Sequence, residues 1–463
     1  MAATQLTRTI GSAGNHKKGT FSAWIKKTKS AGEQFLYYSL ENGNNNFRIR
    51  FDPETLGVQS LQGGSTNMHL NTNRIFRDPS AWYHIVVALD SSQNTASDRC
   101  KIYVNGEQQT SFSTSTYPSQ DANVSINESG TVYVGGQNGS NYFDGIMSHV
   151  HWVDGTAYTP TTFGETDATT GEWKIKTDPG LSQANYGTNG FFILKDGNSV
   201  TDQSGNSNNF TTSGTLTNTE DNPSNNFCVL NALQRSRVNT NNSGDYLKNG
   251  NTTFDTTSSN GMKAIANGNI GVQSGKWYWE AKVITNERMQ IGISTGLEQK
   301  FPQPYYDETE YSAITMNDSG VIYGRYTGSA IDQFSSGTSN TANDILGFAL
   351  DMDNKALYIH KNGTYISNGS NVGVPTSGSS RTGSLIEGLA GSRDDYIPDG
   401  EFMFPVVMDV STSGVAKAEF NFGNGFFGTT AISSEGTNTS GNGKFEYDVP
   451  AGYTALCTKG LNA

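Results

Sequence analysis

Short stretches of alternating apolar and polar residues recur along the chain, separated by clusters of Gly, Asn, Ser and Asp. The clearest lies at residues 275–283 (GKWYWEAKV). A period of two divides it between two faces of an extended strand: Trp277, Trp279, Ala281 and Val283 on one, and Lys276, Tyr278, Glu280 and Lys282 on the other. This pattern predicts a half-buried strand, whose two indoles bring a large apolar area to a core.

Other stretches extend the same prediction. Residues 345–351 (ILGFALD) and 356–363 (ALYIHKNG), joined by the polar turn 352–355, predict a hairpin. Residues 20–26 place Phe21, Ala23 and Ile25 on one face, and the nearly unbroken apolar run 81–89 predicts a buried central strand. Because no helical period is sustained, we expect an all-β protein of two antiparallel jelly-roll β-sandwich domains.

The turn signals divide the chain into three segments. Residues 1–165 form the first predicted sandwich and residues 226–463 the second. Between them, residues 166–225 are rich in Gly, Asn, Ser and Thr and predict an ordered, tightly turned connector with a strand near 186–194. We expect the chain to end in a closing strand, with residues 455–457 packing beside residues 227–230.

Charge and hydropathy narrow the classes of partner. The formal net charge of −12 disfavours a nucleic-acid partner, because phosphate binding needs a basic face. The one basic cluster is expected to be a solvated strand edge: Lys17, Lys18, Lys26, Lys27 and Lys29. No apolar run approaches the roughly 20 residues that span a bilayer, and the N-terminus is no signal peptide, so we expect no membrane insertion.

The cysteines bear on the compartment of assembly. Cys100, Cys228 and Cys457 cannot all pair within one chain, and their neighbours are strand-like and apolar. We expect buried free thiols. A protein that relies on packing rather than on disulfides fits assembly inside a cell, followed by release.

Catalytic patterns are not found. A glycosidase of a jelly-roll fold places carboxylates at alternate positions of one strand, as in Glu-x-Asp-x-x-Glu, and the sequence lacks that pattern. It also lacks a nucleophile elbow, a phosphate loop and a Cys-x-x-Cys pair. Residues 423–428 fit Gly-x-Gly-x-x-Gly, but no helix follows. We therefore predict a protein that is not an enzyme.

Binding is better supported, since loops on a rigid sandwich carry recognition and Tyr, Asn and Asp suit sugar rings and hydroxyls. Two loops supply the candidate contacts: Tyr305, Tyr306, Asp307 and Tyr311 in one, and Asn138, Asn141 and Tyr142 in the other. For any single tyrosine, packing of its own loop is an equally good explanation. His149 and His151, two apart on a predicted strand, could suit a metal but lack an evident third ligand.

The strands SGKWYWEAKV, IGIS, GFALDMDNKALYIHKNG, FPV and FNFG, in that order, resemble the successive strands of a SPRY domain over most of residues 270–425. The resemblance implies a bent antiparallel sandwich whose loops bind partners without chemistry. The earlier set TFSAWIKK, WYHIVVALD, KIYVNGE, VYVGGQ and FDGIMSHVHWVDGTAYTPTTFGE resembles a laminin-G-like, concanavalin-A-type jelly roll over residues 1–165.

The last of these segments, the connector and the C-terminal tail are similar to those of lectin-like virion proteins of tailed bacteriophages. This resemblance implies a structural protein on the exterior of the virion, assembled in the host cytoplasm. Its partners would be other virion proteins, a host-surface glycan and further copies of itself. Tail appendage and capsid decoration both stay open, as do a free carbohydrate-binding lectin and, less favoured, a glycoside hydrolase.

No cofactor is expected apart from calcium. Laminin-G-like proteins in some cases hold calcium near sheet ends, and Asn141, Asp144 and Asp154 are the oxygen donors that the resemblance points to. A second calcium-like pattern, residues 351–354, lacks the glycine that a calcium loop needs and predicts a hairpin turn instead.

Overall fold

The computed structural model describes residues 4–29, 31–195, 197, 199–237, 246–256, 264–296, 312–326, 331–410 and 415–461. The chain forms two compact units: Met1–Asn218 with Asn222–Ser224, and Thr219–Asp221 with Asn225–Ala463. Each unit contains two large sheets whose strands pair almost entirely antiparallel. The predicted all-β class with two sandwich domains is confirmed.

The strands of the first unit are β1 (Gln5–Ile10), β2 (Lys18–Lys27), β3 (Gln34–Asn42), β4 (Asn45–Asp52), β5 (Thr55–Gln62), β6 (Ser65–Thr72), β7 (Trp82–Asp90), β8 (Cys100–Val104), β9 (Glu107–Gln108), β10 (Phe112–Thr116), β11 (Gly130–Val134), β12 (Gly145–Asp154), β13 (Gly164–Thr166), β14 (Trp173–Ile175), β15 (Phe191–Ile193) and β16 (Thr211–Ser213). Helical turns occur at Ala96–Asp98, Pro160–Thr162 and α1 (Gln183–Tyr186). An eight-stranded sheet runs β10-β6-β5-β4-β3-β11-β1-β16, a six-stranded sheet runs β15-β12-β2-β7-β8-β9, and β13 pairs with β14.

The core of the first unit lies between these two sheets. Phe21, Ala23 and Ile25 of β2 point into it, as their alternation predicts. The predicted central strand is β7, which lies between β2 and β8 and is buried along its whole length. Cys100 is buried in this core, and Cys228 and Cys457 are buried in the second unit, so the expected free buried thiols are confirmed.

The outer face of the six-stranded sheet is also covered. Val86 and Val153 on that face pack against Phe163, Tyr186 and Phe192 from the chain that follows β12. This second layer explains why β7 reads as apolar on both faces.

The lysine cluster expected at a solvated edge is partly buried, so that expectation was wrong for Lys26 and Lys27. The Nζ atom of Lys27 lies 5.3 Å from the ring centre of Phe51, and burial lowers the pKa of Lys27 to about 8. The long aliphatic stem lets such a side chain occupy the end of a core strand.

Most of the segment predicted as a connector belongs to the first unit. Strand β15 pairs with β12, and β16 pairs with β1. The predicted strand near 186–194 is shorter than expected, since Tyr186 closes α1 instead. The carboxylate of Asp202 accepts hydrogen bonds from the backbone N–H groups of Phe192, Ser204 and Asn208 at 2.8, 2.9 and 2.8 Å. The turn-forming residues of the segment predicted as a connector therefore make side-chain-to-backbone hydrogen bonds within a folded sandwich.

The strands of the second unit are β17 (Leu230–Arg237), β18 (Leu247–Lys248), β19 (Thr253–Asp255), β20 (Ala264–Gly268), β21 (Lys276–Asn286), β22 (Met289–Ser294), β23 (Ala313–Asn317), β24 (Val321–Arg325), β25 (Asp332–Ser335), β26 (Ile345–Asp351), β27 (Ala356–Lys361), β28 (Thr364–Tyr365), β29 (Phe404–Asp409), β30 (Ala416–Asn421), β31 (Phe426–Phe427), β32 (Thr430–Ala431) and β33 (Thr454–Ala455). Helical turns occur at Pro375–Ser380, Leu385–Gly388, α2 (Arg393–Tyr396) and α3 (Thr458–Leu461). One sheet runs β17-β20-β29-β22-β23-β24-β25 and the other β18-β19-β30-β21-β26-β27-β28.

Strand β21 lies at the centre of the second sheet, and its tryptophans face the core as predicted. The prediction that this strand is only half-buried was wrong, because Tyr278 and Glu280 on its other face are fully buried. The C-terminal segment covers that face with a set of apolar side chains that pack around Tyr278: Phe445, Val449, Tyr453, Ala455 and Cys457. The predicted contact between residues 455–457 and 227–230 is present, since Phe227 bridges to Cys457.

A buried hydrogen-bond chain ties this tail to β21. The backbone N–H of Gly363 donates to His360 Nδ1 (3.1 Å), so neutral His360 carries its proton on Nε2 and donates it to the Tyr278 hydroxyl (2.7 Å). Tyr278 then donates to Glu280 Oε1 (3.1 Å). The same carboxylate accepts the backbone N–H groups of Glu446 and Tyr447 at 2.9 and 2.8 Å. Burial raises the pKa of Glu280 to about 7 despite these donors.

Removing residues 445–463 should expose the apolar face of β21 and leave the Glu280 carboxylate without its backbone donors. We expect the truncated chain to be insoluble, as judged by centrifugation after expression and by chemical unfolding of any soluble fraction. A chain that ends at residue 461 is the matched control and should stay soluble. A truncated protein that is soluble and unfolds cooperatively would contradict this role of the tail.

The stability of the second unit should depend on pH through Glu280. Because the folded state raises the pKa of Glu280 from 4.5 to about 7, it binds the proton more tightly than the unfolded chain does. The resulting stabilisation is complete below pH 4.5 and is lost as the pH rises through 7, by on the order of 3 kcal/mol. The measurement is the difference in unfolding free energy between wild type and Glu280→Gln from pH 4 to 9. Wild type should lose its advantage with rising pH; parallel curves would contradict the assignment.

Candidate carbohydrate-binding site

A row of polar and aromatic side chains crosses the outer face of the eight-stranded sheet. On adjacent strands, Tyr133 lies opposite Tyr38, Tyr38 opposite Arg48, Arg48 opposite Gln59, and Gln59 opposite His69. The neighbours of these residues along each strand point mostly into the core, so the row faces outward. We call the five residues Tyr133, Tyr38, Arg48, Gln59 and His69 the polar strip.

The two tyrosines of the polar strip form a buried aromatic base together with Phe35. The rings of Tyr38 and Tyr133 are stacked with 6.0 Å between their centres, and Phe35 meets Tyr38 edge-on at 5.6 Å. Tyr38 and Tyr133 are only 6% and 8% exposed. They therefore support what lies above them and do not offer open ring faces to a sugar.

Residues 137–142, which we call the amide loop, rest on this base. The Tyr133 hydroxyl donates to Asn138 Oδ1 (2.9 Å), and Asn141 Nδ2 donates to Gln137 Oε1 (2.8 Å) and to Glu33 Oε2 (3.2 Å). Asn138 and Asn141 adopt φ values of 45° and 47°, which asparagine tolerates better than most residues. The amide loop is thus fixed by its own hydrogen bonds.

The structure brings together the predicted candidates of this loop. Asn138 and Asn141 are exposed at its surface, and Tyr142 beside them is half-buried. The candidates of the other predicted loop, Tyr305, Tyr306, Asp307 and Tyr311, lie outside the described residues, and their role stays a prediction.

The three calcium candidates do not share a site. Asp144 precedes β12 and Asp154 ends it. Because a strand rises by roughly 3.3 Å per residue, the two carboxylates lie about 30 Å apart. The Asp154 carboxylate already accepts hydrogen bonds from Asn15 N (2.8 Å), Asn127 Nδ2 (2.9 Å) and Asn189 N (3.1 Å). It orders three chain segments. Within the described residues, no group of three or more His, Cys, Asp or Glu side chains is placed to hold a metal ion.

His149 and His151 are both buried, and both rings contact Phe192. A bulge interrupts β12 between Ser148 and His151, and His149 adopts φ of 49° there. The ring of His151 stacks on Phe192 at 3.9 Å and its Nδ1 lies 2.9 Å from the Tyr186 hydroxyl. The pKa of His151 lies well below its usual value, chiefly because the ring is buried. Both histidines pack the second layer of the sandwich.

A serine–histidine pair on the six-stranded sheet also has a packing role. His84 stacks between Trp24 (4.9 Å) and Trp173 (5.9 Å), and its Nε2 lies 2.9 Å from Ser22 Oγ. Trp173 donates to His84 Nδ1 (3.1 Å), so neutral His84 carries its proton on Nε2 and donates to Ser22. Burial lowers the pKa of His84 to about 3. In this arrangement the histidine cannot accept the serine proton as a general base.

The arginines of strand β4 were missed by the sequence analysis. Arg50 Nε contacts Asp52 (2.7 Å) and Glu33 (2.9 Å), whereas Arg48 Nε and Nη2 both donate to Asn46 Oδ1, at 3.0 and 2.9 Å. Burial and the nearby Arg50 lower the pKa of Arg48. The alternation in residues 45–52 (NNFRIRFD), with polar residues at every second position of an otherwise apolar strand, could have revealed this cationic face.

The second unit has a shallow depression on the outer face of its seven-stranded sheet. Its lining includes Gln290, Thr315, Tyr323, Arg325 and Met408, and Thr315 Oγ1 donates to Gln290 Oε1 (2.9 Å). It adjoins chain outside the described residues, so the amide loop and polar strip form the better-defined site.

Two known domain families match the chain. Residues 4–162 match the concanavalin A-like lectin/glucanases superfamily, and residues 276–376 match the SPRY domain. The chain therefore contains an N-terminal laminin-G-like, concanavalin A-like domain and a C-terminal SPRY domain, as the sequence resemblance implied. Lectin-like, laminin-G and SPRY domains are typically non-catalytic.

Solved structures match the chain at low sequence identity and with low TM-scores. The mouse laminin α1 chain domains LG4-5 match at 7% identity over 93% of this chain and 91% of that chain, with a TM-score of 0.29. The SPRY domain of human HERC1 matches at 16% identity over 41% of this chain and 96% of that chain, with a TM-score of 0.26. A putative carbohydrate binding protein from Bacteroides ovatus matches at 16% identity over 47% of this chain and 60% of that chain, with a TM-score of 0.29. No curated protein matched the chain.

Proposed function

We propose that this chain is a non-enzymatic carbohydrate-binding protein on the exterior of a bacteriophage particle. Its glycan site consists of the amide loop with the adjoining polar strip. The exposed Asn138 and Asn141 carry the proposal, because two side-chain amides on a hydrogen-bonded loop are ready to exchange bonds with sugar hydroxyls. Little ordering remains to be done on binding, which favours affinity.

A binding role without catalysis has further support. Glu280 and the histidines His84, His151 and His360 are buried in aromatic or hydrogen-bonded surroundings and are remote from open surface. In the described residues, no helix has the length and apolar character to cross a membrane. A free lectin would use the same loop, and a glycoside hydrolase of this fold is the weaker alternative because the polar strip lacks a carboxylate pair.

The virion location rests on the resemblance of the C-terminal tail and other segments to lectin-like phage proteins. In that setting the protein assembles in the host cytoplasm beside other virion proteins. It contacts host-surface glycans from the tail or from the capsid. Additional copies of the chain would multiply weak single-site binding.

Replacing both amides of the loop, Asn138→Gly and Asn141→Gly, should weaken glycan binding. Glycine accommodates the positive φ values without strain, while the two amides are lost together with the hydrogen bonds by which they order the loop. We expect at least about a tenfold loss of affinity for the best ligand of a glycan array. Asn343→Gly, at another exposed asparagine with φ of 73°, is the control and should bind as wild type. Equal affinity of the loop variant and the control would show that the site lies elsewhere.

Gold-labelled antibody against this protein should decorate intact phage particles in electron micrographs. Label confined to the tail identifies an adhesin, and label over the head identifies a capsid decoration; either result supports the virion proposal. Purified particles that carry neither label nor the polypeptide would overturn it in favour of the free lectin.

A further inference from the structure

We propose that the site selects acidic saccharides and that Arg48 is the receptor for their carboxylate or sulfate group. This inference rests on the proposed function and names its ligand class. It follows from the unequal surroundings of the two arginines on β4, which share the outer face of the sheet at alternate positions.

Arg50 is paired with carboxylates of the protein. Its guanidinium contacts two carboxylates, Asp52 at 2.7 Å and Glu33 at 2.9 Å, and donates to Gln59 at 3.1 Å. Its charge is thereby balanced, and its side chain is only 9% exposed. Arg50 serves as a structural cation of the sheet face.

Arg48 has no such balance. Both of its hydrogen bonds go to one neutral atom, Asn46 Oδ1, and within the described residues no carboxylate lies within 4.0 Å of it. The amide holds the guanidinium through Nε and Nη2, which orients the planar group while Nη1 makes no protein hydrogen bond. A guanidinium fixed in this way suits two-point recognition of a carboxylate or sulfate.

The neighbours of Arg48 make an anionic ligand favourable. The charge of Arg50 is already balanced by Asp52 and Glu33, so among the described residues Arg48 carries the positive charge on this face that has no carboxylate in contact, and partial burial removes solvent that would otherwise screen it. A neutral sugar would leave that charge uncompensated. An acidic group on Arg48 would instead compensate it and gain charge-assisted hydrogen bonds.

The position of Arg48 fits one ligand that also reaches the amide loop. Strands β11, β3 and β4 are successive neighbours, so Arg48 lies two strand spacings, about 10 Å, from Tyr133 beneath the loop. Gln59 lies opposite Arg48 on the next strand and adds a hydrogen-bonding amide. The acidic group therefore binds Arg48 while the hydroxyls of an adjoining sugar bind Asn138 and Asn141.

The negative net charge of the chain means that binding of an acidic polymer would depend on a local site. A protein with a formal charge of −12 repels polyanions as a whole, so binding of an acidic polymer needs a local cationic site. The affinity should fall as salt is raised, because the contact that decides it is an ion pair.

The test measures binding of the full chain to polygalacturonate, dextran sulfate and uncharged dextran by biolayer interferometry. Wild type should bind at least one acidic polymer and not dextran; the polygalacturonate and dextran sulfate arms distinguish a carboxylate from a sulfate ligand. Arg48→Gln should weaken that binding about tenfold to a hundredfold. Arg48→Lys should lose less, because it keeps the charge but not the planar fork. Lys101→Gln, which removes one positive charge from the six-stranded sheet, is the matched control and should bind as wild type.

Two results would overturn the inference while the proposed function stands: preference for neutral glycans on the array, or acidic binding that Arg48→Gln leaves unchanged. Failure to bind any saccharide would instead overturn the proposed function itself. Circular dichroism and thermal unfolding establish that the variants are folded. If Arg48→Gln does not fold, the affinity of Arg48→Lys for the acidic polymer is compared with those of wild type and Lys101→Gln instead, and an unchanged affinity overturns the inference.

Discussion

Both sandwiches depend on burying a sheet face that an isolated sandwich would leave to solvent. In the first unit, the chain after β12 covers the outer face of the six-stranded sheet with Phe163, Tyr186 and Phe192. In the second, the C-terminal segment covers β21 and supplies backbone N–H groups to the buried Glu280 carboxylate. A buried carboxyl group is tolerated only where hydrogen-bond partners surround it, so the Glu280 side chain depends on the tail that supplies them.

The same layering explains which histidines and carboxylates are unavailable for chemistry. His84, His151 and His360 lie in the covered faces, where burial lowers the pKa of each. The eight-stranded sheet differs, since its outer face carries half-buried polar groups and an exposed amide loop. In the described part of the first unit, this outer face therefore presents hydrogen-bonding groups that the covered face does not.

Local patterns predicted the strands well but not what covers them. Alternation placed Trp277 and Trp279 toward the core, and the apolar run of β7 marked a strand buried on both sides. It also assigned Glu280 to the same exposed face as Lys276, because the pattern within one strand holds no information about Glu446, which lies 166 residues later in the chain. A strand near β15 was predicted, but its place in the first sandwich and the role of Asp202 were hidden in the same way, since turn-forming residues serve a linker and a folded edge alike. The exposure of the loop asparagines was predictable from composition, and the alternation of β4 could have shown that its arginines face outward. The difference between the partners of Arg48 and those of Arg50 required the structure.

The pairing of terminal strands has a consequence for how such chains arise. In the first unit β1 pairs with β16, and in the second Phe227 bridges to Cys457, so each unit has its first and last segments side by side. A fold whose ends adjoin can be inserted into a loop of another protein without stretching either one. Exchange of a whole unit between genes therefore does not require the rest of the polypeptide to be rebuilt.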